Sequence, residues 1–381
     1  MKREILSKLI EISRNPYPYL KEWKKEKGKK ILGSTLADVP EEIIYASGAH
    51  PFLILGTTKP LRLATTRLPD NACSLSRSNL ELVLTYEGEL FDGYVLPQVC
   101  DTTQHLCDIW KRKFSDRYFE NFLVPRQVNR PSAGYWYIQE SERLIWSLER
   151  YLGIKIKEDA LWEAIDIYNE NRRLLRSLYD IKRKHPGMLT NREFFDIVKS
   201  GFFMDKKEHN MLLKELIDSI DIEKDKKEDD YVPIVVAGIV VEPNEIFDFM
   251  DNGKINVVSD DLCTGSRYIE VETKKEGTPI EAIADAYLKK GPFSPIHDEG
   301  NKMFYNLKNR VEKYGAKGII YVHIKYCESQ DYDFPDLRRN LKAQGIKVLE
   351  VETEYQTTHM GQTKTRIQAF VEALSEEARN E

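Results

Sequence analysis

The run Val232–Val241 (VPIVVAGIVV) limits the possible folds of this chain more than any other stretch. Almost every residue in it is apolar, and valine and isoleucine dominate. Strands of a parallel sheet have this composition because helices cover the sheet on both faces. The run therefore predicts an α/β protein in which a mostly parallel sheet lies between helices.

The rest of the sequence alternates between strand-like and helix-like patterns at both ends of the chain. The predicted strands are Lys29–Leu36, His50–Gly56, Phe91–Val99 and Phe119–Val124 in the first part, and Val232–Val241, Ile255–Ser259, Gly318–Lys325 and Ile346–Val351 in the last. Helical patterns separate them, which favours two doubly wound, mostly parallel α/β domains. We place these domains at residues 1–131 and 231–381.

Residues 132–230 have a different character. Helical patterns fill this stretch as far as Ile220, with a break at His185-Pro186-Gly187, and the charged run Ile222–Asp230 follows. A charge run of this kind is normally solvated, so it is the best candidate for a linker. We therefore expect a helical segment that packs on one or both sheets and ends in a charged linker.

The composition excludes several classes of protein. A net charge of −5 gives no basis for binding nucleic acid or an anionic membrane. The N-terminus has the pattern of an amphipathic helix rather than a signal peptide, and no apolar run approaches the ~18 residues that span a bilayer. The five cysteines are odd in number and scattered, which indicates a reducing, cytoplasmic location rather than a disulfide scaffold.

Three of the cysteines follow predicted strands. In Phe91–Arg112 (FDGYVLPQVCDTTQHLCDIWKR) a strand stops at Cys100 and a helix begins at once; Cys263 and Cys327 also follow strands, and Cys73 lies in a loop. Ligands of open α/β sheets bind at the carboxyl ends of the strands, so these thiols can converge on a cleft between the domains. Thiolates without companion histidines suit an iron–sulfur cluster, although the chain has no CxxC pair. The alternative is that the thiols are buried structural cysteines.

Seven stretches carry a family resemblance through their order and spacing, and together they span nearly the whole chain. They are DVPEEIIYASGAHPFLILG, NACSLSRSNLELVL, FDGYVLPQVCDTTQHLCDIWKR, IDIYNENRRLLRSLYDIKRK, VVSDDLCTGSRY, IIYVHIKYCE and VLEVETEYQTTHMGQTKTRIQAFVEAL. The chain resembles subunits of the 2-hydroxyacyl-CoA dehydratase and benzoyl-CoA reductase family, of the 2-hydroxyglutaryl-CoA dehydratase D-component type. The resemblance implies two α/β domains with helices and a [4Fe-4S] cluster in the cleft between them. Carried over residue by residue, the ligands it implies are Cys73, Cys100 and Cys327.

The same resemblance implies a reaction and partners. Three cysteine ligands leave one iron open, and a separate ATP-hydrolysing Fe–S activator supplies a low-potential electron. In the dehydratases this electron makes a ketyl radical of the carbonyl of a CoA-thioester substrate, which expels hydroxide; in the reductases electrons enter an aromatic ring. The chain contains no GxxxxGK[ST] sequence, so ATP hydrolysis belongs to a partner. A homologous second subunit or a homodimer is also expected, and nothing indicates a flavin or nicotinamide cofactor.

Several functional interpretations stay open on the sequence. The first is the [4Fe-4S] subunit of a 2-hydroxyacyl-CoA dehydratase, a lyase, and the second is a benzoyl-CoA reductase-type subunit, an oxidoreductase. The third is a reductase with a double-cubane [8Fe-9S] cluster, for which five thiols are one short of three per cubane. The chain can also be a non-catalytic partner subunit, or an α/β protein without a metal.

Five further residues near the predicted site have two interpretations each. Ser34 and Thr35 end a strand and can donate to a thioester oxygen or a cluster sulfur, or cap a helix. His50 can carry protons or be a structural histidine, and we take Ser34 and His50 as the catalytic candidates. Cys263 can serve the cluster or substrate pocket or be buried, whereas Cys107 is predicted to pack in the core.

Two local predictions concern loops. Asp38 is expected to cap the helix whose first turn contains Pro40. Gly265 and Ser266, which follow Cys263, form a candidate anion-binding turn, and Arg267 beside them is a candidate contact for a CoA phosphate or an interdomain carboxylate.

Overall fold

The strand–helix alternation of the sequence forms two parallel sheets of four strands each. The computed structural model describes residues 3–36, 38–85, 87–221, 231–356 and 360–380. The strands are β1 (Ile31–Ser34), β2 (His50–Leu53), β3 (Gly93–Gln98), β4 (Tyr118–Leu123), β5 (Val232–Gly238), β6 (Ile255–Asp261), β7 (Gly318–Ile324) and β8 (Val348–Thr353). Every pair of neighbouring strands runs parallel. The predicted α/β class with two mostly parallel sheets is therefore confirmed.

The two sheets are wound in the same way. Their strand orders are β2-β1-β3-β4 and β6-β5-β7-β8, so the second half repeats the topology of the first. The direction of winding reverses between β1 and β3, and again between β5 and β7. Connections leave such a switch point in opposite directions and open a crevice at the carboxyl ends of the strands. Each half therefore has a potential ligand-binding crevice at the carboxyl ends of its strands.

Helices connect the strands and fill the stretch between the two sheets. They are α1 (Arg3–Arg14), α2 (Tyr17–Lys27), α3 (Glu41–Ala46), α4 (Ser74–Thr85) and α5 (Asp101–Lys113) in the first half; α6 (Ser132–Leu152), α7 (Glu158–Lys184), α8 (Asn191–Ser200) and α9 (Lys206–Asp218) in the helical segment; and α10 (Glu245–Asn252), α11 (Ser266–Ile269), α12 (Pro279–Lys289), α13 (Lys302–Tyr314), α14 (Glu328–Ala343) and α15 (Gly361–Asn380) in the second half. The predicted linker, 222–230, lies outside the described residues, and the domain boundaries stay a prediction.

Several helix boundaries differ from those expected. The single N-terminal helix is two helices, and α10 was not predicted. The sequence pattern predicts a helix over Asp336–Gln344, but α14 begins at Glu328 and keeps Pro335 inside it, although an interior proline normally breaks a helix. Its first turn is anchored because the Asp331 N–H donates to Cys327 O (2.9 Å) and the Ile324 N–H donates to Gln330 Oε1 (2.9 Å).

The start of α3 also differs from the prediction. Pro40 is the residue before its first turn, and no side chain caps it, so the expected Asp38 cap is wrong. The first two helical residues instead point inward. Glu42 accepts from Arg172 of α7 (2.6 Å), and Glu41 accepts from the Tyr268 hydroxyl of α11 (2.7 Å). These bonds connect the first sheet to the helical segment and to the second half.

The helical segment packs against both halves. Helix α7 contacts α3 of the first half and β6, α11 and α12 of the second, while α6 contacts β4 and α12. One hydrophobic core accordingly runs through both halves, and a smaller cluster lies on the far face of the second sheet. Among the described residues, no helix is long and apolar enough to cross a membrane.

Candidate functional site

Cys100 occupies the junction between β3 and α5. It is the residue before the first turn of α5, with an extended backbone. The Thr103 hydroxyl accepts from the N–H groups of Cys100 (3.0 Å) and Val99 (3.1 Å), and the Thr103 N–H points back at the Cys100 sulfur. The thiol therefore lies among first-turn N–H groups, which stabilise negative charge, although burial raises its pKa overall.

Cys327 has the same position in the second half. It follows β7 and precedes the first turn of α14, as Cys100 follows β3 and precedes α5. The residue before it, Tyr326, has a left-handed backbone (φ 62°), an uncommon conformation outside glycine that turns the chain sharply after β7. Arg77 and Lys325 lie over the Tyr326 ring, 5.7 and 5.2 Å from its centroid. The side chains of both halves thus pack around this turn.

The sequence pattern predicts a helix over Ser78–Leu84, but α4 begins at Ser74, so Cys73 lies directly before it. The Ser74 N–H donates to Lys325 O (3.1 Å), and the Tyr355 N–H donates to Ser74 Oγ (3.1 Å). An ion pair between Arg77 and Glu354 (2.9 Å) crosses the same junction. These contacts hold the start of α4 against the carboxyl ends of β7 and β8, and they bring Cys73 to Cys327.

The thiols of Cys73 and Cys327 are neighbours, and the interaction between them shifts the pKa of each. The Cys327 thiol, followed by N–H groups of the first turn of α4, lowers the pKa of Cys73 to about 7. The interaction with Cys73, together with burial, raises the pKa of Cys327. Cys100 is close enough to Cys73 and Cys327 to act electrostatically on both. The structure therefore brings together three thiols from three segments and two sheets, which we call the thiol site.

The donor set of the thiol site is sulfur alone. No group of three or more His, Cys, Asp or Glu side chains in the described ranges is arranged to hold a single metal ion. A cubane cluster requires a different arrangement of ligands. Each cysteine binds a different iron, so the sulfurs need not converge on one point. Three thiols without imidazole or carboxylate companions fit that kind of group.

The two catalytic candidates lie at opposite edges of the first sheet. Ser34 ends β1 at the carboxyl edge and is buried. Beside it, the Thr35 hydroxyl is buried and has no hydrogen-bond partner in the described part of the chain. His50 begins β2 at the amino edge, where its Nε2–H donates to Phe203 O (2.9 Å) and its ring packs on Trp23. Burial lowers the pKa of His50 to about 4.

The two remaining cysteines are not members of the thiol site, although Cys107 is near enough to Cys100 for that thiol to contribute to its raised pKa. Cys107 is 1% exposed on the inner face of α5, and burial raises its pKa to about 12. Cys263 follows β6, and burial raises its pKa to about 12 as well. Its charged neighbours are Arg267, Asp38, Asp261 and Lys290, not the other cysteines. Neither environment favours a thiolate.

The turn after Cys263 is not free to bind an anion. Asp260 accepts from the N–H groups of Leu262 (3.2 Å) and Ser266 (2.8 Å), so the backbone donors of the turn are already used. Arg267 pairs with Asp261 of its own half (2.7 Å) rather than with a carboxylate of the other half. The aspartates close the loop, which is the capping role that polar residues commonly have after strands.

A cavity of about 1000 Å³ opens beside Cys100, and we call it the cleft. Its walls come from the loop 123–130 and α6 on one side, and from the loop 294–301, α13 and α14 on the other. Arg126 and Arg130 line it and are exposed. Across from them Asp333 has its pKa raised to about 6 by burial and by two neighbouring aspartates. A space of this size accommodates a large organic ligand.

Little in the sequence indicated the cleft. Its lining residues lie in loops and on helix faces far apart in the chain, and loops of this kind have no periodic pattern. The one available signal was the pair of arginines in the proline-containing loop VPRQVNRP, which interrupts the alternation of strands and helices.

These features define a class of protein: two α/β halves of like topology that hold a sulfur-donor site and a large cleft at their junction. The family can then be stated from sequence comparison. A model of the family "2-hydroxyglutaryl-CoA dehydratase, D-component" matches residues 37–374, and the chain belongs to this family. The resemblance identified from the sequence is thus confirmed.

Similar proteins from three bacteria match over most of the chain. The lactoyl-CoA dehydratase subunit beta of Anaerotignum propionicum is 32% identical, over 97% of this chain and 98% of its own. The (R)-phenyllactyl-CoA dehydratase beta subunit of Clostridium sporogenes is 27% identical, over 96% of this chain and 97% of its own. A benzoyl-CoA reductase subunit of Thauera aromatica is 26% identical, over 81% of each chain.

Proposed function

We propose that this chain is the [4Fe-4S] subunit of a 2-hydroxyacyl-CoA dehydratase that depends on an ATP-hydrolysing activator. The observation that carries the proposal is the thiol site, in which Cys73, Cys100 and Cys327 of two sheets meet beside a cleft large enough for a CoA thioester. Two of the relatives described above are dehydratase subunits, and their likeness covers nearly the full chain.

The three thiols are the residues that would hold the cluster. When bound, the cluster would supply a low-potential electron and one iron without a protein ligand, and both are needed to activate a thioester for loss of a 2-hydroxyl group. The first-turn N–H groups of α4 and α5 would offset the negative charge of the thiolates. Cys263 and Cys107, with their raised pKa values, would remain protonated and take no part.

The chain's own contribution is binding, orientation and exclusion of water. Arg126 and Arg130 line the cleft and would contact phosphate groups of CoA there, because guanidinium groups bind phosphate in a bidentate manner. The Thr35 hydroxyl, which lacks a partner in the described structure, is available at the carboxyl edge of β1 to donate to an oxygen or sulfur acceptor. Ser34 beside it is a second candidate donor.

The test is analysis of iron and acid-labile sulfide after anaerobic purification, followed by absorption spectra with and without substrate. We expect about four irons per chain, as one cubane requires, and a change in the cluster spectrum when a 2-hydroxyacyl-CoA is added. Iron-free protein that binds no CoA thioester would contradict the proposal. About eight irons per chain would favour the double cubane instead.

A second candidate function is electron relay within a two-subunit enzyme. It is favoured because the two dehydratase relatives are beta subunits, so each is one part of a larger assembly. In that case the cluster of this chain would be reduced by the activator, but its spectrum would not respond to substrate. The substrate-dependent change therefore separates the two candidates. A benzoyl-CoA reductase-type role would be recognised by stoichiometric consumption of electrons.

A further inference from the structure

Asp333 of α14 is a carboxyl group on the wall of the cleft, and it takes no part in holding the proposed cluster. Helix α14 begins directly after Cys327, and Asp333 follows about 9 Å further along its axis, at a rise of about 1.5 Å per residue. Cys100 lines the same cavity. One ligand in the cleft can therefore reach both the thiol site and Asp333.

The Tyr321 hydroxyl shows on which side of the cleft Asp333 lies. Tyr321 is held against α14, because Gln330 Nε2–H donates to its hydroxyl (3.2 Å) and its ring stacks on Phe334, with centroids 4.4 Å apart. Burial raises the pKa of Tyr321, and the Cys327 thiol and the Asp333 carboxyl both add to the rise. Asp333 therefore lies on the side of the cleft that is close to the thiol site.

Asp333 is the cleft carboxyl without a structural task. Asp298 accepts from two N–H groups at the start of α13 (2.7 and 2.9 Å), and Asp336 forms an ion pair within α14 (2.9 Å). Asp333 makes no ion pair with any residue that the structure describes, and Arg126 and Arg130 lie on the opposite wall of the cleft. Its carboxyl group is thus available to a ligand.

The surroundings of Asp333 suit a group that gains and loses a proton. Burial raises its pKa, and the charges of Asp298 and Asp336 add to the rise. The side chains of Ser294 and His297 act in the opposite direction, and the resulting pKa is about 6. A carboxyl group of this kind is ionised at neutral pH and still basic enough to accept a proton from a reacting group.

Loss of water from a 2-hydroxyacyl group requires the transfer of one proton. In the net reaction the bond from C3 to one hydrogen breaks, and its electron pair forms the double bond between C2 and C3. The bond from C2 to the hydroxyl oxygen breaks as well, and its electron pair leaves with hydroxide. The proton from C3 combines with this hydroxide to give water, and no electrons are consumed overall.

We propose that Asp333 is the acid–base residue of the cleft, which takes the proton from C3 and passes it to the departing hydroxide. The inference rests on the proposed function, because it takes the acyl part of the substrate to lie at the end of the cleft near the thiol site. One residue can serve both steps because the proton and the hydroxide leave from neighbouring carbons.

The test uses the native complex, purified anaerobically through a tag on this chain and assayed with activator, ATP and a strong reductant. Lactoyl-CoA, (R)-phenyllactyl-CoA and 2-hydroxyglutaryl-CoA are the probes. Asp333→Asn should lower kcat about 10²–10⁴-fold and leave KM, the iron content and the response of the cluster spectrum to substrate unchanged. Asp333→Glu should restore part of kcat.

A matched control keeps the charge change but moves it out of the cleft. Glu299 is an exposed residue of the loop 294–301, and it is not among the residues that line the cleft. Glu299→Gln should therefore leave kcat and KM unchanged.

The pH profile separates an acid–base role from a structural one. In the unaltered complex kcat/KM should rise with pH through about 6, because the ionised form of Asp333 takes the proton. Asp336→Asn removes one of the charges that raise the pKa of Asp333, so the same rise should move to lower pH by about half a pH unit.

The outcomes distinguish this inference from the proposed function. An unchanged kcat in Asp333→Asn would overturn the inference alone, and so would a rise of kcat/KM that stays at the same pH in Asp336→Asn. If Asp333→Asn melts early or loses iron, Asp336→Asn decides. Failure of the unaltered complex to dehydrate any of the three thioesters would overturn the proposed function, and the inference with it.

Discussion

Five cysteines of one chain have different chemistry here because their surroundings differ. Cys73 interacts with a second thiol and with first-turn N–H groups, which lower its pKa to about 7. Cys107 and Cys263 are buried without such donors, and their pKa values rise to about 12. The strongest of these interactions comes from Cys327 in a distant segment, so residue type alone could not separate ligand candidates from core cysteines. The distinction followed from the family resemblance.

Substitution of single cysteines tests this difference. Cys73→Ala, Cys100→Ala and Cys327→Ala should each remove most of the iron and all activity, because three thiolates are the minimum for a cubane with one open iron. Cys107→Ala is the control: it should keep the iron and lower the free energy of unfolding by only ~1–2 kcal/mol. Iron assay and chemical denaturation measure both. Full iron content in any of the three ligand variants would refute the thiol site.

His50 should make the stability of the protein depend on pH. Its folded-state pKa of about 4 lies below the ~6.5 of an unfolded chain. The unfolded state therefore binds more protons between these values, so the free energy of unfolding is highest above a pH of about 6.5 and falls as the pH drops to about 4. The shift corresponds to about 3 kcal/mol.

The measurement is denaturation at a series of pH values. His50→Asn should reduce the fall between a pH of about 6.5 and a pH of about 4 without abolishing it, because burial also lowers the pKa of His209 to about 3. His105→Asn, at an exposed position of α5, should leave the fall unchanged. An identical slope in His50→Asn would show that other groups control the acid sensitivity.

At the scale of elements, the sequence predicted the strands, whose apolar patterns are local. It missed features that depend on contacts with other elements. The eight strands were predicted because their apolar content is local, and β5 was the clearest because it is buried on both faces. The start of α14 was missed because its first turn depends on the bond from the Ile324 N–H to the Gln330 side chain, which no local pattern shows. The cleft was missed because its lining residues lie in loops and on helix faces far apart in the chain, which no local pattern indicates.

The pair Glu42–Arg172 connects α3 and α7 and should be important for stability. Both side chains are about 6% exposed, so Glu42→Gln leaves a buried guanidinium without its counter-charge. We expect a loss of about 3–5 kcal/mol in the free energy of unfolding, as is usual when one partner of a buried pair is removed. Asp285→Asn, which breaks an exposed pair on α12, should cost no more than about 0.5 kcal/mol. Equal effects of the two changes in urea denaturation would contradict this assignment.

At the scale of the whole molecule, the thiol site depends on both halves at once. Cys73 and Cys100 come from the first half and Cys327 from the second, while one hydrophobic core runs through both. The proposed chemistry also needs ATP hydrolysis, which we assign to a partner because the sequence contains no GxxxxGK[ST] phosphate-binding loop. The functional unit is therefore expected to be an assembly.

Activity should accordingly require a second protein. The purified enzyme should turn over a 2-hydroxyacyl-CoA only with an ATP-hydrolysing Fe–S activator, ATP and a strong reductant, in the absence of oxygen. An anaerobic assay that omits each component in turn measures this dependence. Release of an enoyl-CoA without net consumption of electrons would identify a dehydratase, and a dienoyl product with stoichiometric electron use a reductase. Sustained turnover without ATP would refute the mechanism.

The contacts that bring Cys73 to Cys327 are all made by protein groups. The bond from the Ser74 N–H to Lys325 O, the bond from the Tyr355 N–H to Ser74 Oγ and the Arg77–Glu354 pair hold the junction together. We therefore expect the proposed cluster to assemble on an already folded chain and, once lost to oxygen, to be rebuilt in place. Protein stripped of iron should regain it from ferrous iron and sulfide without unfolding, and its protease digestion pattern should stay the same throughout. Maturation and repair would then be one and the same reaction.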